Sequence, residues 1–397
     1  MKILIVSPFF PYPPDNGGAI RIYNLIKHLS GLHDITLLSY INVDQRPLLD
    51  QMSPYCRLIT LPLPENTRSW KYHARYLFSK FPYSLVYIDP QFKEKLKDIS
   101  QDSWDIIQFE FLALAHYVDI LPESAKKVVA EHYIALESRK RLMKLWRGGL
   151  KKWYYYWELW KIRNYEKRIF NRFDLCLVTN DDHAGKLRDW KIGARIEVSP
   201  NGVDTDYFKP LKENAFNQNW DGHFTLVYMG AFHLEPANID GLTYLLDEIF
   251  PCIEKGIPDV HLEIIGQGLS HDFKYRYRND KIRIHGYVED IRPILGKAHA
   301  FLIPLRGGSG TKIRILTAMS MGVPVVATSI AASGIDVEPD KNLLIGDSPK
   351  MFAAQTIRIL KDHELNQKIG FAGLDLVSER YSWKRIARDL NGLLHNI

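Results

Sequence analysis

Short runs of consecutive apolar residues alternate along the chain with longer segments whose apolar positions recur three or four residues apart. The runs KILIVS (2–7), DITLLSY (34–40), WDIIQFE (104–110), KVVAEH (127–132), DLCLVT (174–179) and RIEVS (195–199) read as strands in the first half. In the second half FTLVYMG (224–230), VHLEIIG (260–266), KIRIHG (281–286), AFLIPL (300–305) and VPVVATS (323–329) do the same. Most of these runs are apolar at nearly every position rather than at every other one. That is the pattern of parallel strands covered on both faces. Helical spacing fills segments between them, including 18–30, 239–255, 311–321 and 349–363. Strand–helix alternation of this kind predicts an α/β chain with doubly wound sheets.

The two halves begin alike: KILIVSPFFPYPPDNGG and FTLVYMGAFHLEPANIDG each run from a buried strand through an irregular loop into a helix start. The chain has 397 residues, enough for two domains. Two Rossmann-like domains in tandem follow, joined by the polar, turn-rich stretch 199–223. The expected boundaries are 1–200 for an acceptor-side domain and 201–379 for a nucleotide-sugar donor domain. A C-terminal helix over about 380–397 is expected to pack back on the first domain.

Composition narrows the function classes. Charged residues make up 25% and hydrophobic ones 46%, so the chain is globular rather than disordered. The prolines at 8, 11, 13 and 14 break the N-terminal apolar run, which reads as strand and loop rather than a signal peptide. Three distant cysteines, Cys56, Cys176 and Cys252, suit neither a disulfide framework nor a zinc site and favour a cytoplasmic home. A net charge of +6 permits an anionic substrate or surface without requiring nucleic acid.

The stretch 139–172 stands apart, with twelve Lys and Arg against Glu158 and Glu166, and eight Trp and Tyr. Such a mixture suits a peripheral protein on the anionic inner leaflet of the plasma membrane. It equally suits one or two helices packing their aromatics inward under a solvated basic face.

The segment LRGGSGTKIRILTAMSMGVPVVAT (305–328) carries the strongest chemistry. Glycines 307, 308 and 310 follow a strand and open a helix expected at about Thr311. Glycines permit close backbone approach, and the free amides of a helix start bind anions. Lys312 is expected to add a mobile positive charge, with Arg306 flanking it. A pyrophosphate fits this arrangement, although the P-loop spacing is absent. His132 and Glu131 lie at or next to the carboxyl end of one strand and Glu110 ends another, where open α/β sheets bind ligands. Asp204-Thr205-Asp206 follows Asn201-Gly202 and reads as turn chemistry rather than a metal site. No cluster has metal-ligand spacing.

The 305–328 segment resembles the donor-binding signature of the retaining GT-B glycosyltransferases of family four. Their pattern often reads Gly-Ser-Gly-Thr-Arg-x-Lys-x-x-Glu-Ala-Met-Ala-x-Gly-x-Pro-Val-Val. PNGVDTDYF (200–208) is similar to that family's hinge segment. MGAFHLEPANIDGL (229–242), LEIIGQG (262–268), HGYVEDI (285–291), SPFFPYPPDNGGAIRIYNLIKHL (7–29) and EHYIALESRKR (131–141) resemble it in order and spacing.

The resemblance implies two Rossmann-like domains facing each other across a cleft. It also implies retaining, metal-independent transfer from a UDP- or GDP-linked sugar to a glycan or lipid-linked acceptor, in cell-envelope or extracellular polysaccharide synthesis. No separate cofactor or metal is implied. By the same resemblance Gly17 and Gly18 meet the sugar-linked phosphate, and His132 contacts the transferred sugar in the catalytic region. Gly230, Val288, Gly308, Ser309, Gly310, Thr311, Lys312 and Thr317 bind the donor, Val288 through main-chain contact to the nucleobase. Ser309 and Thr317 fall at the two ends of the family's Glu-x7-Glu pattern. Thr317 is a departure, since many members carry a glutamate there for the ribose hydroxyls. A neutral hydroxyl bond is worth about 1 kcal/mol against roughly 1.5–3 for a charged one. A basic residue common in the loop after Gly230 is also missing. These departures leave open a catalytically degenerate nucleotide-sugar-binding protein of the same fold. A nicotinamide-dependent oxidoreductase fits poorly, because Ser7-Pro8-Phe9-Phe10-Pro11 occupies the place of its glycine-rich turn.

Overall fold

The structure is a computed structural model. It describes residues 1–63, 79–83, 85–137, 139, 151–211, 220, 222–233, 236–307 and 312–397, with the side chains of 151–153 left aside. The chain forms two compact units, Met1–Pro200 together with Ile386–Ile397, and Asn201–Arg385.

The first unit holds a seven-stranded sheet. Its strands are β1 (Lys2–Ser7), β2 (Asp34–Ile41), β3 (Arg57–Pro62), β4 (Ile106–Glu110), β5 (Lys126–Glu131), β6 (Leu175–Val178) and β7 (Arg195–Val198). They lie in the order β3-β2-β1-β4-β5-β6-β7, every pair parallel. The second unit holds β8 (Phe224–Met229), β9 (Val260–Ile265), β10 (Ile282–Gly286), β11 (Ala300–Ile303), β12 (Val325–Ala327) and β13 (Leu344–Ile345). Their order is β10-β9-β8-β11-β12-β13, again all parallel. Both sheets reverse their winding direction once, between β1 and β4 and between β8 and β11. Open sheets of this kind bind ligands at the carboxyl ends of the strands beside that switch.

Burial explains which strands the hydrophobic pattern exposes. β4 and β6 are buried at every position, and β1 and β2 at all but the first. Leu4, Val6, Leu38, Ile107, Phe109, Val129 and Cys176 share one core. β3 and β13 have no counterpart among the expected strands. β3 is a half-buried edge strand that starts on Arg57 and ends on Pro62, and β13 has only two residues. Neither offers a continuous apolar run.

The C-terminal helix spans Trp383–His395 rather than starting at about 380, because Val377–Tyr381 forms a wide π-helical turn that closes the preceding helix. The second unit runs on to Arg385, and the helix then joins the first unit. There Ile386, Leu390 and Leu394 are buried, the His33 Nε2–H donates to Asn391 Oδ1 at 2.7 Å, and Arg195 donates to the Asn396 carbonyl at 3.0 Å. All three cysteines are free thiols.

Candidate active site

In the first unit the site residues gather at the ends of β4 and β5. Glu110 closes β4 and is 1% exposed. Its Oε2 lies 3.0 Å from His132 Nε2, and its Oε1 accepts from Gln108 Nε2 at 2.5 Å. The His132 ring stacks on Phe111, with centroids 3.9 Å apart and planes 26° off parallel. Phe111 has a φ of +65°, unusual for a bulky residue, and is anchored by its N–H on the Ala130 carbonyl.

The far face of the Phe111 ring meets the first helix, Gly17–Leu29. A Cβ on Gly18 would stand 2.7 Å from Phe111 Cζ and 3.0 Å from Phe9 Cζ, so any larger residue displaces one of those rings. Asn16 caps this helix by accepting the Ala19 amide. The amides of Gly17 and Gly18 have no acceptor among the described residues, so the expected anion-binding helix start is present.

Charge is arranged around this pair. Arg21, one turn into the helix and buried, donates to the Pro200 carbonyl at 2.8 Å and to Ser199 Oγ at 2.9 Å. Burial pushes the Glu110 carboxyl up. The His132 hydrogen bond, the charges of His132 and Arg21 and the Gln108 bond outweigh it and hold Glu110 below the ordinary glutamate range. Burial lowers the His132 value against the Glu110 interaction that raises it. Glu110 is therefore favoured as the carboxylate, while burial weighs against a second proton on the His132 ring. Glu131, equally placed in sequence, behaves differently. Burial, reinforced by the nearby Glu166 charge, lifts its carboxyl well above the ordinary value, and its Oε2 has no hydrogen-bond partner among the described residues.

In the second unit β10 ends on Gly286, and β8 and β9 are each followed directly by a glycine, Gly230 and Gly266. The Gly266 N–H donates to the Gly286 carbonyl at 2.8 Å, and the Gly230 N–H to the Ile265 carbonyl at 3.0 Å. Gly230 is buried with its amide used, so it acts by allowing close approach rather than by donating. A Cβ there would stand 3.1 Å from Arg314 Nη1. Arg314 donates to the Met229 carbonyl and to Asn238 Oδ1, both at 2.6 Å. Val288 is half-buried beside Tyr287, which is 72% exposed.

Several expectations change here. The motif helix runs Ile313–Ser320 and starts after Lys312, later than Thr311, because Lys312 has a non-helical φ/ψ of −85°/85°. Lys312 is buried. Arg306 does not stand free beside it: its guanidinium holds Asp240 through two hydrogen bonds and stacks on Tyr244. Thr317 is buried, and its hydroxyl donates to the Ile313 carbonyl at 3.2 Å. Gly308, Ser309, Gly310 and Thr311 lie outside the described residues.

Arg21, Phe111, Asn238 and Arg314 went unnoticed in the sequence. Arg314 had a signal, since it stands at the lysine of the Arg-x-Lys pair in the family pattern. Phe111 had none, because nothing in a sequence announces its backbone angle.

Asp204 accepts the amides of Asp206 and Tyr207, an Asx turn. Among the described residues no three His, Cys, Asp or Glu side chains could jointly hold a metal ion. Most of the described part of the basic stretch is one helix, Lys151–Phe170. It buries Ile162, Tyr165, Ile169 and Phe170 together with both acids, Glu158 and Glu166, and exposes Tyr154, Tyr156 and Trp160. Glu166 accepts the amides of Ala135 and Leu136. No described helix is long and apolar enough to cross a membrane.

Two units, each built on a doubly wound parallel sheet, have the architecture of the GT-B glycosyltransferases. The chain belongs to that class: the description "Glycosyltransferase Family 4" matches residues 15–207, and "Glycosyl transferases group 1" matches residues 223–362. It is similar to an uncharacterised 44.6 kDa protein in the cps region of Klebsiella pneumoniae, with 26% identity over 97% of each chain. It is also 27% identical to the phosphatidyl-myo-inositol mannosyltransferase of Mycobacterium leprae, over 58% of this chain and 68% of that one. HepE of Anabaena, solved in complex with UDP, shares the fold with a TM-score of 0.70 and 15% identity over the whole of both chains.

Proposed function

We propose that this protein is a retaining, metal-independent glycosyltransferase. It moves a sugar from a UDP- or GDP-linked donor to a glycan or lipid-linked acceptor in envelope or extracellular polysaccharide synthesis. The observation that carries this reading is the convergence of Gly230, Gly266 and Gly286 at the strand ends of the second unit, with Arg314 against Gly230. Such a backbone floor admits a nucleotide closely, and the basic residues Lys312 and Arg314 suit a pyrophosphate. Negative charge develops on the leaving diphosphate during transfer, and pre-set cations and amides stabilise it. In the first unit, the amides of Gly17 and Gly18 are the proposed anion contact and His132 the proposed sugar contact. The cps-region relative and the mannosyltransferase relative support a polysaccharide or lipid acceptor. The HepE complex supports UDP as the first nucleotide to test.

A second reading, a binding protein without turnover, draws on Thr317, whose hydroxyl is bonded to its own helix where many family members carry glutamate. The two part in one experiment. A thermal-shift screen of nucleoside diphosphates and their sugars finds the donor; a ligand at 100 times its Kd adds about 2.7 kcal/mol of apparent stability. Release of nucleoside diphosphate from that donor then identifies a transferase. Binding without release supports the second reading, and no binding of any nucleotide overturns both.

Peripheral attachment to an anionic leaflet belongs to the same proposal. The outward Tyr154, Tyr156 and Trp160 supply apolar insertion, and both acids of the basic helix are turned inward. Co-sedimentation with anionic vesicles that falls at high salt supports it. Equal, negligible binding to anionic and neutral vesicles overturns it.

A further inference from the structure

We propose that Glu110 is a positioning residue that fixes His132 in one tautomer, Nε2–H toward Glu110, so that Nδ1 offers a lone pair to a hydroxyl of the transferred sugar and not to a phosphate. The inference rests on the transferase reading and adds the chemistry of that one contact.

The geometry sets the proton. A carboxylate only accepts hydrogen bonds, so at 3.0 Å the His132 Nε2 must be the donor. In the neutral ring Nδ1 is then the acceptor, and it has no partner among the described residues. The charged groups acting on His132 are Glu110 and Arg21. Glu110 favours a proton on Nε2, while the Arg21 cation opposes a second proton on the ring. Gln108 holds the other Glu110 oxygen, so the carboxylate cannot turn away. Phe111 stacks flat on the imidazole and fixes its plane. Arg21 is itself held by Ser199 and the Pro200 carbonyl. A neutral lone pair next to a buried carboxylate repels a phosphate oxygen and welcomes an O–H donor.

The test begins without substrate. Histidine-selective 15N labelling of the full chain, with His132→Gln to assign the signal, reads the tautomer directly. A protonated Nε2 with a bare Nδ1 at pH 7 is expected. An imidazolium, or a proton on Nδ1, overturns the proposal whatever the enzyme turns over. Glu110→Gln is next. It is expected to keep nucleoside diphosphate affinity, lower kcat roughly tenfold or more, as for a lost hydrogen bond to the sugar, and shift the pH profile. Wild-type kcat in folded Glu110→Gln overturns the proposal. If that variant fails to fold, the wild-type spectrum still decides. A chain that shows the expected tautomer but transfers nothing removes the transferase reading instead.

Discussion

Glu131 and Glu110 show how one residue type takes two states a few ångströms of sheet apart. Glu110 has a histidine, a glutamine and an arginine to favour its charge. Glu131 has desolvation and the Glu166 charge against it, offset only by backbone amides. Because the folded state raises the Glu131 value, it binds a proton there more tightly than the unfolded chain does. Its contribution to stability is complete below the ordinary value of 4.5 and is lost as pH rises toward the folded value. Glu131→Gln is uncharged at every pH. Urea unfolding at several pH values should show the variant losing less stability than wild type as pH rises above the ordinary glutamate value. Identical pH slopes would mean Glu131 is not the titrating group. Lys312→Ala belongs to the same scale. Removing a cation from a pyrophosphate contact should weaken donor binding by about 1.5–3 kcal/mol. Calorimetric titration of a folded variant checks it, and an unchanged Kd would move the anion contact to Arg314.

At the level of elements, the glycines at the strand ends decide whether the second unit can form its floor. Gly266 has a φ of +142°, and a Cβ there would lie 1.8 Å from the Gly230 carbonyl oxygen. No rotamer relieves a clash between two backbones. Gly266→Ala should therefore cost more than about 3 kcal/mol. A lowered second-unit transition in calorimetry, with loss of nucleotide binding, is the expected result. Wild-type melting and binding would show that β8 and β9 can separate freely at their ends. The basic helix teaches a different lesson about elements. Its sequence is rich in aromatics on all sides, and only packing sorted Tyr165 inward and Trp160 outward.

Over the whole molecule, the chain passes between its two units twice, after Pro200 and after Arg385. The second passage lies inside one helix, whose last turns belong to the first unit. Ile386, Leu390 and Leu394 are each worth about 1.5–3 kcal/mol when fully buried, a large share of a typical stability of roughly 5–15 kcal/mol. Deleting Ile386–Ile397 should thus loosen the first unit while sparing the second. Hydrogen exchange should speed up around His33 and β2, with the β8–β13 sheet protected as before. Unaltered exchange around His33 would show that the helix end is dispensable.

The α/β class, eleven of the thirteen strands and the motif helix were legible in the sequence, because continuous apolar runs and glycine punctuation are local signals. The strand-end histidine was legible for the same reason. What the sequence does not contain is the meeting of distant residues. Arg21 reaches Ser199, Glu110 reaches His132, and Phe111 lies between Gly18 and His132 only after parallel strands have been laid side by side. The burial of Lys312, the commitment of Arg306 to Asp240 and the back-bonding of Thr317 were likewise decided by packing. A side chain's charge, reach and chemistry are written in its identity. Its partner, and hence whether that charge is spent or available, depends on through-space distance, which only the tertiary fold sets.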